Sequence, residues 1–196
     1  VNAYYNEIDP YAAQWLRNLI AAEHIAPGDV DERSIIDVKA SDLKGYSQCH
    51  FFAGIGGWSV ALRLAGWPDA KPVWTGSCPC QPFSVAGNRK GKEDARHLWP
   101  VWFELITERK PATIFGEQVA AAIAKGWLDS VYNDLEKESY AIASAILPAC
   151  SVGAPHKRDR LWFVANTGSA GRGAQDGERR TGSAECTQAR KRWKAD

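Results

Sequence analysis

A chain of 196 residues, 45% of them apolar, is long enough for one α/β domain with a sizeable core. It holds no apolar run of membrane-spanning length and no secretory signal, which argues against a membrane protein. A net charge of +1 excludes a global pull toward nucleic acid, so any such charge is local.

In chain order, Asn2–Asp9 reads as a strand ending in acidic residues, and Pro10 is placed to open a helix over Tyr11–Ala22. Trp15, Leu16, Leu19 and Ile20 recur there at helical spacing. Ala26-Pro27-Gly28 ends that helix, and Asp29–Val38 reads as loop plus a short strand. Ser47–Phe52 is the next strand; it runs into Phe52-Ala53-Gly54-Ile55-Gly56-Gly57 and a compact helix over Ser59–Ala65. Lys71–Thr75 is a strand leading to Pro79-Cys80-Gln81-Pro82, and Phe83–Arg96 reads as a long mobile loop. Helices follow over Leu98–Arg109 and Trp127–Lys137, with strands at Thr113–Phe115, Tyr140–Leu147 and Leu161–Ala165. Strands alternating with helices predict an α/β fold: a mostly parallel sheet with helices on both faces. From Asn166 strong apolar residues almost vanish and Arg and Lys outnumber acids, which reads as a disordered basic tail or the start of a further region after a domain over 1–165.

Several of these segments carry chemistry. A cysteine at the carboxyl end of a strand sits where open α/β sheets react. Cys78 and Cys80 alternate along an extended chain and so face opposite ways. The five cysteines show no paired C-x-x-C spacing, which argues against a disulfide scaffold and fits a reduced cytosol. No metal set is evident. Glycines after a strand and before a helix allow a tight turn and close approach of a ligand. Glu117 ends the strand over Thr113–Phe115, and Arg158 and Arg160 point the same way if their segment is extended.

Together, Pro79-Cys80-Gln81-Pro82, Phe52–Gly57, Gly116-Glu117-Gln118-Val119 and Lys157-Arg158-Asp159-Arg160 resemble the DNA (cytosine-5) methyltransferases over roughly residues 2–165. The resemblance is to a phage- or prophage-like permuted form. It implies a Rossmann-like fold that binds S-adenosyl-L-methionine and methylates C5 of cytosine in DNA. It makes Cys80 the nucleophile that attacks C6 of a flipped-out base, Glu117 the acid at N3, and Arg160 the donor to O2, with Arg158 in support.

Phe52, Ala53, Gly54, Ile55, Gly56 and Gly57 become the cofactor loop, with Pro79 and Leu98 alongside. The family's ribose acid normally follows that loop, where this chain has no room for it. Glu7 and Ile8 look like the ribose-binding segment, and Asp29 and Val30 like the adenine-contacting one, so the second and third sheet strands are encoded before the first. A rival reading makes Glu7 and Asp9 a charge pair at a helix start. Gln81, Ser84, Arg89, Lys90, Lys92 and Arg96 become DNA contacts on a closing loop.

The chain departs from the family pattern at Gln118, where Asn is usual, and at His156, where Gln is usual. It also lacks a target-recognition region and the closing Gly-Asn segment. That leaves a truncated gene product, an expressed fragment, or a minimal enzyme helped by a partner chain that supplies target recognition, in the cytoplasm of a bacterial or phage-infected cell. The same chemistry on transfer RNA, and a split, non-enzymatic binding fragment, are the rival functions. A nicotinamide oxidoreductase would leave Cys80, Glu117 and Arg160 unexplained.

Overall fold

The computed structural model describes residues 2–79 and 98–168. Seven strands form one sheet: β1 (Ala3–Asn6), β2 (Gly28–Asp31), β3 (Gln48–Phe51), β4 (Val73–Gly76), β5 (Thr113–Val119), β6 (Tyr140–Pro148) and β7 (Asp159–Thr167). Four helices accompany them: α1 (Pro10–Ala21), α2 (Gly57–Leu64), α3 (Trp99–Arg109) and α4 (Trp127–Lys137). The spatial order is β2-β1-β3-β4-β5-β7-β6, and β7 alone runs against its neighbours. β1, encoded first, thus lies between β2 and the strand that feeds the glycine turn. This is the permuted sheet that the front block implied. No helix among the described residues is long and apolar enough to cross a membrane.

The local chemistry that starts α1 is the expected one. Asp9 caps it, accepting from the backbone N–H groups of Tyr11 and Ala12 at 2.9 and 3.0 Å, and Pro10 fills the first turn. Strands β1, β3 and β4 are buried at every position, as a parallel sheet covered on both faces requires. One core holds Ala3, Tyr5, Leu16, Ile25, Ala26 and Ala53. The larger one gathers Phe51, Trp74, Trp99, Trp102, Trp127 and Phe163 with the inner sides of α3 and α4. β5 and β7 are longer than the sequence suggested, because the nine-residue hairpin partner β6 extends the antiparallel ladder from Asp159 to Thr167. The strand therefore passes the expected boundary at residue 165.

Two strand glycines are required by aromatic packing. A Cβ on Gly76 would lie 2.6 Å from the Trp102 indole, and one on Gly116 would lie 2.0 Å from the Phe163 ring. Gly116→Ala must displace a buried ring and is expected to cost about 1–3 kcal/mol of stability, read as a lower denaturation midpoint at unchanged slope.

Beneath the glycine turn lies a sealed polar chain. The Gln48 amide donates to the Pro68 carbonyl, so its Oε1 faces His50 Nε2 as an acceptor at 3.2 Å. His50 Nδ1 then accepts from the Thr75 hydroxyl at 2.8 Å, and the imidazole stacks on Tyr5 at 4.9 Å. Burial pushes the His50 imidazole down to about 3, far below its unfolded value near 6.5. The folded state therefore favours the neutral ring. Its contribution is intact above roughly pH 6.5 and is lost as pH falls from there toward about 3. Lowering the pH from about 6.5 to 5 is expected to remove about 2 kcal/mol of stability. His50→Gln should be less stable at neutral pH and flatter across that interval in thermal melts. An equally steep wild-type and variant profile would refute the assignment.

Candidate active site

Strand register builds the site. Asn6, Phe51, Gly76 and Gly116 are aligned across β1, β3, β4 and β5. The next residue on each strand is Glu7, Phe52, Ser77 and Glu117, and Glu117 is paired in turn with Trp162 of β7. One row, just past the ends of β1, β3 and β4 and inside β5 and β7, thus carries an acid, an aromatic edge, a hydroxyl, a second acid and an indole.

The glycine turn leaves β3 through Phe52, which holds a left-handed φ of +53°. That conformation is costly for a residue with a Cβ and is kept here at a sheet end where ligands bind. Gly54 (φ +55°) and Gly56 (φ +83°) complete the turn. A side chain on Gly56 would crowd Leu16 and Leu19 of α1, whereas Gly54 and Gly57 face open space. Glu7 reaches this turn from the front of the chain: its Oε2 accepts from the Gly54 N–H at 2.6 Å, and its Oε1 from the Asp9 N–H. Asp9 is the helix cap, and Glu7 bridges that cap and the glycine turn. Glu7 belongs spatially to the glycine turn. The resemblance makes Glu7 the ribose acid, and on that expectation Glu7→Ala weakens binding of S-adenosyl-L-methionine by about 1–3 kcal/mol in calorimetry, through the loss of charge-assisted hydrogen bonds. Unchanged affinity would remove the front block from the cofactor site.

Ile8 and Ile55 are both largely exposed beside the turn. Asp29 accepts from the Tyr46 hydroxyl at 2.8 Å, and Val30 packs on the α1 side of the sheet. Asp29 and Val30 line a separate cavity of about 330 Å³ with Tyr4, Asp31, Arg33 and Tyr46. There burial opposes the charge of Asp31, but hydrogen bonds from Arg33 and Tyr4 outweigh it and hold its carboxyl below the usual range. Pro79 is half-buried, and Leu98 packs on the larger core at the amino end of α3.

On the other side of the turn, Glu117 and Arg160 form an ion pair, Arg160 Nε to Glu117 Oε1 at 2.8 Å, with both side chains about one-fifth exposed. Arg160 also donates to the Asp159 carbonyl. Arg158 does not join them. It precedes β7, is exposed and has a φ of +37°, so the expectation of an extended segment with both arginines on one face is corrected. Glu117 lies within the β5 ladder and not at its end. Gln118 is buried: its amide reaches the Cys78 carbonyl at 3.5 Å, and its oxygen accepts from the Val119 N–H. The longer amide thus ties β5 to the segment that follows β4.

A cavity of about 320 Å³ opens between these groups, lined among others by Phe52, Ile55, Trp58, Ser77, Glu117 and Trp162. Trp58, Ser77 and Trp162 were not anticipated. The Trp58 Nε1–H donates to Ser77 Oγ at 3.0 Å, and its ring meets Trp162 edge to face at 5.3 Å. The signal for Trp162 was its place two residues beyond Arg160 on one strand face. Cys49 and Cys78 are buried and free. Cys80, Gln81, Ser84, Arg89, Lys90, Lys92 and Arg96 lie outside the described residues.

A mostly parallel sheet with a glycine turn after a central strand defines a Rossmann-like α/β fold. Residues 68–185 match the C-5 cytosine-specific DNA methylase family, and the chain belongs to it. The chain is 29% identical over 150 residues to the type II methyltransferase M.AplI of Arthrospira platensis, spanning 58% of this chain and 44% of that one. It is 27% identical over 172 residues to M.HhaI of Haemophilus parahaemolyticus, spanning 66% and 52%. It thus covers about half the length of these relatives. A crystal structure of a Spodoptera frugiperda DNMT2 mutant superposes over 89% of this chain and 45% of that one, with a TM-score of 0.58 and 14% identity. That likeness shows the methyltransferase fold.

Proposed function

We propose that residues 1–165 form the catalytic domain of a DNA (cytosine-5) methyltransferase. The observation that carries this reading is the Glu117–Arg160 pair on the same strand-end row as the Phe52 turn, in a chain of this family. The residues present fit S-adenosyl-L-methionine: Gly54 and Gly57 leave open space where side chains would intrude, Glu7 offers a carboxylate, and Ile8, Ile55 and Phe52 offer apolar surface. Asp29 and Val30 line a separate cavity and are assigned to the adenine by the family resemblance alone. When bound, this cofactor supplies the methyl group.

The chain's own groups prepare the base. The Cys80 thiolate adds to C6 of a flipped-out cytosine, which makes C5 nucleophilic. Arg160 moves from Glu117 to O2, where negative charge develops, and Glu117, taking up a proton from solvent once that cation has left it, donates to N3. After methyl transfer to C5, the C5 proton leaves to a water molecule, N3 returns its proton to Glu117, and expulsion of the Cys80 thiolate restores the aromatic ring. Gln81, Ser84, Arg89, Lys90, Lys92 and Arg96 hold the DNA strand.

The test is incubation of the chain with tritiated methyl donor and either duplex DNA or transfer RNA. Label in the cytosine of DNA supports the proposal. Label confined to transfer RNA moves the substrate class, and no label on either, with cofactor bound, makes the chain a binding fragment.

A further inference from the structure

We infer that Trp58 and Trp162 read the charge of the methyl donor, holding the cationic sulfonium of S-adenosyl-L-methionine and releasing the neutral thioether that remains after transfer. The inference rests on the reading of this cavity as the cofactor site and assigns it two residues that neither the turn nor the acids predicted.

The two indoles meet at an interplanar angle of 78° with centroids 5.3 Å apart. Two nearly perpendicular rings leave an inside corner bounded by π surfaces, whose negative faces attract cations. Neither ring is free to swing. Trp58 is tethered through Nε1 to Ser77 Oγ and is backed by Phe115 at 6.1 Å. Trp162 sits in the β5–β7 ladder directly opposite Glu117 and remains 37% exposed, so it has a surface to offer a ligand.

The rest of the lining has the matching sign. Among the described residues the lining holds the carboxylate of Glu117 and no Lys, Arg or His, and Arg160 pairs with Glu117 from outside it. Aromatic faces, one acid and otherwise apolar walls suit a cation with an apolar shell. A sulfonium bearing three carbon substituents is such a group. A thioether has the same shape less one methyl and lacks the charge. A cation–π contribution from these rings therefore separates donor from spent product by about three- to tenfold in affinity.

Calorimetry on the full chain with S-adenosyl-L-methionine and with S-adenosyl-L-homocysteine tests this. Wild type should bind the donor several-fold more tightly. Trp162→Leu should lose about three- to tenfold for the donor and less than about twofold for the thioether, and Trp162→Phe should restore most of the difference. If the leucine variant does not fold, Trp58→Phe carries the test, with a smaller loss in the same direction expected. Equal losses for both ligands, or a wild type without preference, would reduce the pair to packing and overturn the inference while leaving the cofactor site standing. Failure of wild type to bind either ligand would sink the cofactor reading itself, and this inference with it.

Discussion

Cys80→Ala is expected to abolish covalent capture of DNA containing 5-fluorocytosine, whereas Cys78→Ala and Cys49→Ala should capture it like the unmodified chain. The argument is one of thiolate supply. Only the thiolate attacks C6, so a nucleophile must be reachable and able to lose its proton. Cys49 is fully buried in β3, and burial pushes its thiol up to about 12. Cys78 is buried as well, and burial pushes its thiol up even further. Both behave as small core hydrophobes. Cys80 is two residues beyond Cys78, after the rigid Pro79 and within the Pro-Cys-Gln-Pro sequence that carries the family resemblance. Fluorine at C5 blocks the final elimination, so the adduct survives denaturation and appears as a shifted band in the presence of cofactor. A shifted band of equal intensity from the Cys80 variant would refute the nucleophile assignment.

Much of the frame was legible because its causes are local. Asp9 and Pro10 announce α1, and the helix at Trp127–Lys137 falls on the residues its apolar spacing marks. Phe52–Gly57 announces the turn because glycines accept the left-handed backbone by which the chain leaves β3 there. The permuted position of Glu7 was legible only through the family resemblance; the hydrogen bond to Gly54, 47 residues away, is its structural counterpart.

What could not be read is non-local. The length of β5 is set by β7, whose own extent is set by β6, and no periodicity within Thr113–Val119 encodes that. Gly76 and Gly116 look like strand weakeners in isolation; their reason is an indole and a phenyl ring contributed by distant segments. The kink at Arg158 separates two arginines that an extended chain would have aligned. Trp162 became part of the cavity by cross-strand pairing with Glu117, a register that depends on the whole hairpin.

Glu117→Gln is expected to lower methyl transfer by about two to four orders of magnitude while changing cofactor affinity less than about threefold. The amide keeps the shape of the side chain and can still donate a hydrogen bond to N3, so base capture should survive better than turnover. What it lacks is a proton to give as the thiolate adds. It also lacks the charge that Arg160 now pairs with at 2.8 Å. Arg160→Ala removes the other half of that pair and leaves a half-buried carboxylate without its cation, so it should lower both turnover and stability.

The two residues are coupled through one contact, and the double variant is therefore expected to lose less than the sum of the single losses. Two residues acting separately would give additive losses in log rate. A Glu117→Gln protein that retains more than about a tenth of the original rate would show that no acid is needed at N3. The strand-end row of Glu7, Phe52, Ser77 and Glu117 would then serve to bind the cofactor and position the base, with the proton coming from solvent.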